Sequence, residues 1–182
     1  MPHVHAASCS CCHPDIRLSR RKFLTTSAAG AAALLATPRL VLAASGEYEA
    51  MILACIDPRL QEPMHAYAQK QGLTGKYSQF VFAGAAIGAI APQFKDWHKT
   101  FWDNLAVSVD LHKIKKVIAI DHRDCGAAKI AYGDAKVATP EIETETHKAA
   151  LAQFREAAKQ HQPALAVETG LMALDGSIMM FS

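Results

Sequence analysis

The sequence predicts a single α/β domain, a mainly parallel central sheet flanked by helices, with an antiparallel strand or hairpin at its C-terminal end. Three observations lead there. Short apolar runs at 50–54, 79–82 and 117–120 alternate with amphipathic stretches of helical period, the pattern of strand–helix–strand crossovers. The first and third runs are apolar throughout, as strands buried on both faces are. The last apolar stretch is split by Asp175-Gly176, a dipeptide suited to a hairpin turn.

The elements follow in order. Residues 50–54 are the first strand. Residues 61–71 read as a helix that ends before Gly72. Gln79-Phe80-Val81-Phe82 is the second strand, and residues 84–92, rich in Gly and Ala, read as a loop ending at Pro92. Residues 97–112 are a helix with Phe101, Leu105 and Val109 as its apolar stripe, spaced at i, i+4 and i+8. Val117-Ile118-Ala119-Ile120 is the third strand. Residues 144–161 form an amphipathic helix with Leu151, Phe154 and Ala158 on one side, closed by Pro163. Residues 164–167 and 171–181 are strand material around the hairpin turn.

Residues 1–43 stand outside the domain, which runs from 44 to 182. Ser19-Arg20-Arg21-Lys22-Phe23-Leu24 is a twin-arginine pattern, followed by a small apolar stretch at 25–36 and then Val41-Leu42-Ala43. That is a charged region, a modestly hydrophobic region and a small-residue cleavage site. The apolar part is shorter than the roughly 20 residues a membrane-spanning helix needs. The sequence therefore predicts cleavage after Ala43 or Ala44 and delivery to the periplasm by the twin-arginine export machinery, with an uncleaved anchor as the alternative. Cys9, Cys11, Cys12 and His13 precede the arginine pair and leave with the signal.

The first 43 residues hold five of the 19 Lys and Arg and one of the 17 Asp and Glu, leaving 14 basic against 16 acidic side chains in the domain. That slightly acidic balance gives nucleic acid no footing. Of the five cysteines, only Cys55 and Cys125 remain.

Those two cysteines sit in the clusters that carry the chemistry. Cys55-Ile56-Asp57-Pro58-Arg59 follows the first strand, and His122-Arg123-Asp124-Cys125-Gly126 follows the third. In an open α/β sheet, sites gather at the carboxyl ends of the strands, so the clusters can meet in space. Two thiolates and an imidazole suit a tetrahedral zinc ion, and three protein ligands leave one position open, the mark of a catalytic site. The ion lowers the pKa of a water bound there from about 15.7 to about 7 in favourable cases. Asp57 can accept a proton from that water and orient it. Arg59 can pair bidentately with Asp57 and keep it ionised. A disulfide between the two cysteines is the main alternative, but it has no need of His122, Asp57 or Arg59. Thiol redox chemistry finds no Cys-x-x-Cys motif in the domain. His65, His98, His112, His147 and His161 lack a motif context and read as surface or helix-face residues. Trp97, Phe101 and Trp102 read as core or interface.

Cys55-x-Asp57-x-Arg59, followed by His122-x-x-Cys125-Gly126 at the end of a later strand, resembles the β-class carbonic anhydrases. The order strand, helix, strand, helix, strand, His-x-x-Cys-Gly, helix, terminal hairpin matches as well, so the resemblance spans most of 50–181. It implies zinc held by Cys55, His122 and Cys125, and reversible hydration of CO2 to bicarbonate by a zinc-bound hydroxide. It implies that Asp57 hydrogen-bonds the bound water, or becomes the fourth ligand in a closed form, and that Arg59 holds Asp57 off the metal. It also implies a homodimer or higher oligomer with the cleft near the interface.

The sequence departs from that family in the loop after the second strand, which is usually polar and here is Phe82-Ala83-Gly84-Ala85-Ala86. Phe82, Ala83 and Gly84 are thus expected to line an apolar substrate pocket. Two other readings stay open: hydrolysis of carbonyl sulfide or carbon disulfide on the same scaffold, and a non-catalytic zinc protein closed permanently by Asp57. Little chain lies between residue 44 and the first strand to form the family's usual amino-terminal arm, which predicts a weaker dimer.

Overall fold

The structure, a computed structural model, describes residues 46–182. The twin-arginine signal read in residues 1–43, its cleavage point, and Cys9, Cys11, Cys12 and His13 lie outside the described residues.

Five strands form one sheet: Ala50–Ala54 (β1), Tyr77–Val81 (β2), Lys116–His122 (β3), Ala166–Met172 (β4) and Ile178–Phe181 (β5). Their spatial order is β2-β1-β3-β4-β5. β1 pairs in parallel with β2 and β3, β3 pairs in parallel with β4, and β5 returns antiparallel beside β4. The expected architecture is therefore the observed one. β1 lies in the middle of the sheet with all five residues buried, which is why its run is apolar without alternation.

Five helices connect the strands: Gln61–Lys70 (α1), Ala86–Ile90 (α2), Lys95–His112 (α3), Gly126–Tyr132 (α4) and Pro140–His161 (α5). Phe101 and Leu105 of α3 and Leu151, Phe154 and Ala158 of α5 are fully buried. Trp102 stacks on Phe154 with ring centroids 5.7 Å apart, and Phe101 meets Trp102 edge-on at 4.7 Å. Each such side chain contributes about 1.5–3 kcal/mol on burial, so this aromatic cluster helps to hold the two long helices in place. Among the described residues, no helix is long and apolar enough to cross a membrane.

Four local expectations are corrected. The region 84–92 is not all loop, because Ala86–Ile90 forms a short helix. β2 begins two residues earlier than expected and ends at Val81, which leaves Phe82 to the turn. α5 begins at Pro140 instead of 144; Thr139 caps it, its Oγ1 accepting the Ile142 N–H at 3.3 Å, and Pro140 takes the first helical position, where no N–H is needed. The hairpin turn is longer than two residues: Ala173 N–H donates to Ser177 O at 2.8 Å, with Gly176 at a φ of 85°.

Candidate metal centre

β1 and β3 are parallel neighbours with Ala54 opposite Ile120, so the segments that follow them leave the sheet at the same end. Cys55 comes one residue after β1, His122 is the last residue of β3, and Cys125 precedes α4. Their donor atoms all lie within 4.8 Å of one another, and all three residues are buried. Both cysteines are free thiols in this structure.

The local geometry prepares the imidazole. His122 Nδ1 lies 2.8 Å from the Arg123 carbonyl oxygen. A carbonyl only accepts, so Nδ1 carries the proton and Nε2 presents a lone pair. That Nε2 is buried and has no hydrogen-bond partner. Metal-ligating histidines have this arrangement, with the second ring N–H held by a carbonyl or carboxylate. An unmet nitrogen lone pair facing two sulfurs in a compact, buried set fits zinc, whose donors sit about 2.0–2.3 Å from the ion.

The protonation of the set is coupled. A hydrogen bond with Cys125 pulls the Cys55 thiol well below the ordinary thiol range; burial opposes this, while His122 and the Gly84 and Asp57 amides assist. The same bond raises Cys125, and burial adds to that. Burial is the largest single influence on His122 and disfavours its cation. The nearby Cys55 sulfur and its charge, the Arg123 carbonyl and the Asp57 charge together outweigh it and raise the His122 pKa.

Asp57 and Arg59 form the second part of the site. Asp57 Oδ1 accepts from Arg59 N and Nε, each at 2.9 Å, and Oδ2 accepts from Nη2 at 2.7 Å. The Arg59 side chain holds the Asp57 carboxyl well below the usual carboxylate range. Arg59 also reaches across to the other cluster, donating from Nη1 to Asp124 Oδ2 at 2.8 Å and from Nη2 to the Asp124 carbonyl at 3.2 Å. One guanidinium thus ties the two motifs together, and it leaves Asp57 outside the Cys55–His122–Cys125 donor set.

The loop after β2 covers Cys55. Gly84 donates its N–H to Cys55 Sγ at 3.2 Å, and Ala86 donates its N–H to Asp121 Oδ1 at 3.0 Å. Gly84 has a φ of 81°, and a side chain there would crowd the Ala127 methyl at 2.9 Å. A Cβ on Gly88 would run into the Ala83 carbonyl. Ala85 holds a φ of 46°, a conformation that suits glycine. Phe82 and Ala83, with Ile56, Phe80, Val81, Trp97 and Thr100, line a cavity of about 360 Å³. Gly84 is next to that cavity in sequence but does not line it. A larger groove of about 670 Å³ runs along α5 and includes none of the donor residues.

Helix α5 braces the β3 turn. Glu143 accepts the Asp124 N–H at 2.6 Å and Arg123 Nη1 at 3.1 Å, and Thr144 Oγ1 accepts from Arg123 Nη2 at 2.8 Å. Asp124 has a φ of 55°, so its amide points where only Glu143 meets it. One helical turn on, His147 Nδ1 lies 2.9 Å from Asp121 Oδ2. Of the sequence reading of His147 as a surface or helix-face residue, the surface half is corrected: it is completely buried, on the inner face of α5. Its signal was the i, i+4 spacing from Glu143 on a helix that also carries Leu151 and Phe154 inward. Of the other histidines set aside, His65 and His161 are exposed, His98 bonds the Ala91 carbonyl, and His112 bonds Ser78.

Residues 45–169 match the model of the family described as "Putative carbonic anhydrase". An uncharacterized protein of Rickettsia conorii is 34% identical over 132 residues, covering 72% of this chain and 71% of its own length. One of Rickettsia bellii is also 34% identical over 132 residues, covering 72% and 80%. Among solved structures, the beta-carbonic anhydrase CcaA aligns over 90% of this chain and 89% of its own, at 12% identity and a TM-score of 0.54. The b-carbonic anhydrase CafA of Aspergillus fumigatus aligns over 89% and 86%, at 15% identity and a TM-score of 0.50. At such identity these two structures speak for the fold.

Proposed function

The chain belongs to the carbonic anhydrase family whose model it matches, and on that premise we propose that it is a zinc lyase interconverting CO2 and bicarbonate. The observation that carries this is the convergence of Cys55, His122 Nε2 and Cys125 beside the Asp57–Arg59 pair. Cys55, His122 and Cys125 would hold the ion. When bound there, zinc supplies a Lewis acid that brings the pKa of a water down from about 15.7 toward 7.

The chain's own residues do the rest. Asp57, kept ionised by the bidentate Arg59, accepts a hydrogen bond from water in the cleft and so orients its lone pair toward substrate. Arg59 keeps that carboxylate engaged and away from the donor set; with Arg59 released, Asp57 could become the fourth ligand of a closed form. Phe82 and Ala83 present apolar surface to a small apolar substrate, while the Gly84 amide secures Cys55. Stopped-flow CO2 hydration by the zinc-loaded protein tests the reading, and activity no higher than buffer overturns it. The apolar lining of that cavity also favours a second reading, hydrolysis of carbonyl sulfide or carbon disulfide, which the same assay run with carbonyl sulfide separates.

Residues 1–43 are proposed as the twin-arginine signal and the periplasm as the destination. Replacing Arg20 and Arg21 by Lys should leave precursor in the cytoplasm. The domain is proposed to act as a homodimer or higher oligomer. Supporting this, β2 is an open sheet edge, and Val81 and Trp97 beside it are exposed. Sedimentation across a wide concentration range tests it; a monomer throughout, with undiminished specific activity, overturns it.

A further inference from the structure

We propose that the buried Asp121–His147 pair is a positioning device that sets the loop Gly84–Ala86 over Cys55 and so fixes the geometry of the donor cluster. The proposal rests on reading Cys55, His122 and Cys125 as metal ligands. The contacts form an unbroken chain. His147 Nδ1 meets Asp121 Oδ2 at 2.9 Å, Asp121 Oδ1 accepts the Ala86 N–H at 3.0 Å, and Gly84, two residues before, gives its N–H to Cys55 Sγ at 3.2 Å. Every residue in it is buried.

Three features point to positioning as the pair's contribution. Ala86 opens α2, and the first amides of a helix have no acceptor within it; Asp121 supplies one from another strand. Ala85, just before, holds a φ of 46°, so the loop keeps its shape through contacts and not through propensity. His147 Nε2 is buried without a partner. Two apolar side chains would fill the same volume with no unmet polar atom. What the pair adds over them is direction, a carboxylate oxygen aimed at one amide. Asp121 also precedes His122 in β3, so this one side chain couples the strand carrying the imidazole to the loop covering the thiol.

The test compares His147→Asn and His147→Gln in the full chain. The Asn amide can stand where Nδ1 stands and still donate to Asp121; the Gln amide stands nearer the position of Nε2 and cannot. Cobalt(II) affinity, followed by thiolate-to-metal absorption, should fall about 10–100-fold in His147→Gln and stay within about threefold of the parent in His147→Asn and Asp121→Asn, the range of losses seen when groups behind a ligand are removed. Alkylation of Cys55 before metal is added should be faster in His147→Gln alone. Amide exchange in the parent should show Ala86 and Gly84 protected, a measurement that needs no variant to fold. Parent-like affinity and alkylation in His147→Gln, equal losses in all three variants, or unprotected Ala86 and Gly84 amides would each overturn the proposal. A parent chain that binds no cobalt would sink the metal reading, while alkylation and amide exchange would still decide the loop.

Discussion

The two motif turns are built to opposite plans. The turn after β3 is braced from behind: Glu143, Thr144 and His147 of α5 hold Asp124, Arg123 and Asp121, and the side chains of Glu143 and His147 are 9% and 0% exposed. The turn after β1 has no such backing. Its side-chain bonds run within Asp57–Arg59, across to Asp124, or to Cys55 from the Gly84 N–H, none of them from a helix behind it, and the Arg59 and Asp57 side chains are 44% and 16% exposed. The buried turn carries two of the three candidate donors, and the more exposed turn carries the pair proposed to act on water. A metal ligand gains from being fixed before the ion arrives, whereas a group that acts on water must reach it. On the proposed reading, burial divides the two tasks between the two turns.

The comparison can be broken most directly at the donors. Cys125→Ser should lower zinc from about one per chain to nearly none by elemental analysis, since a tetrahedral site with three protein ligands rarely survives on two; full retention would undo the assignment. Arg59→Ala should leave zinc in place and cut CO2 hydration by about 10²-fold or more, the scale of proton-transfer contributions; undiminished turnover would mean the exposed turn is ornamental. Glu143→Ala should cost about 1–3 kcal/mol in a denaturant melt, because the Asp124 amide and the Arg123 guanidinium lose a buried acceptor. Asp124→Asn weakens only exposed ion pairs, those with Arg59 and Lys129, and should cost no more than about 1 kcal/mol. An Asp124→Asn loss as large as that of Glu143→Ala would erase the distinction between the turns.

Much of this was readable from residue order. The apolar runs announced β1 and β3, and Cys55-x-Asp57-x-Arg59 with His122-x-x-Cys125 announced the cluster, because those signals are local and short. α2 was hidden: Ala86-Ile87-Gly88-Ala89-Ile90 looks like a flexible linker, and its first amide is met by Asp121, a residue 35 positions later. His147 was hidden for the same reason, since its partner belongs to another element. The start of α5 is legible in Thr139-Pro140, a capping hydroxyl followed by a proline at the first helical position. The apolar cavity was half legible: Phe82 and Ala83 line it, but Trp97 and Thr100 come from α3 and enter only once the chain is folded.

The bracing helix also dictates a timetable. Cys125 leaves the ribosome 22 residues ahead of His147, an interval of about 1–4 s at ordinary translation rates. During it all three donors are present in the nascent chain, yet Asp124 lacks Glu143 and Asp121 lacks His147. An ion that met the chain at that stage would find the donors without the bracing of α5. Assembly of the centre is therefore a late event in the life of the chain, governed by the docking of its longest helix and completed only after synthesis has passed the last of its donors.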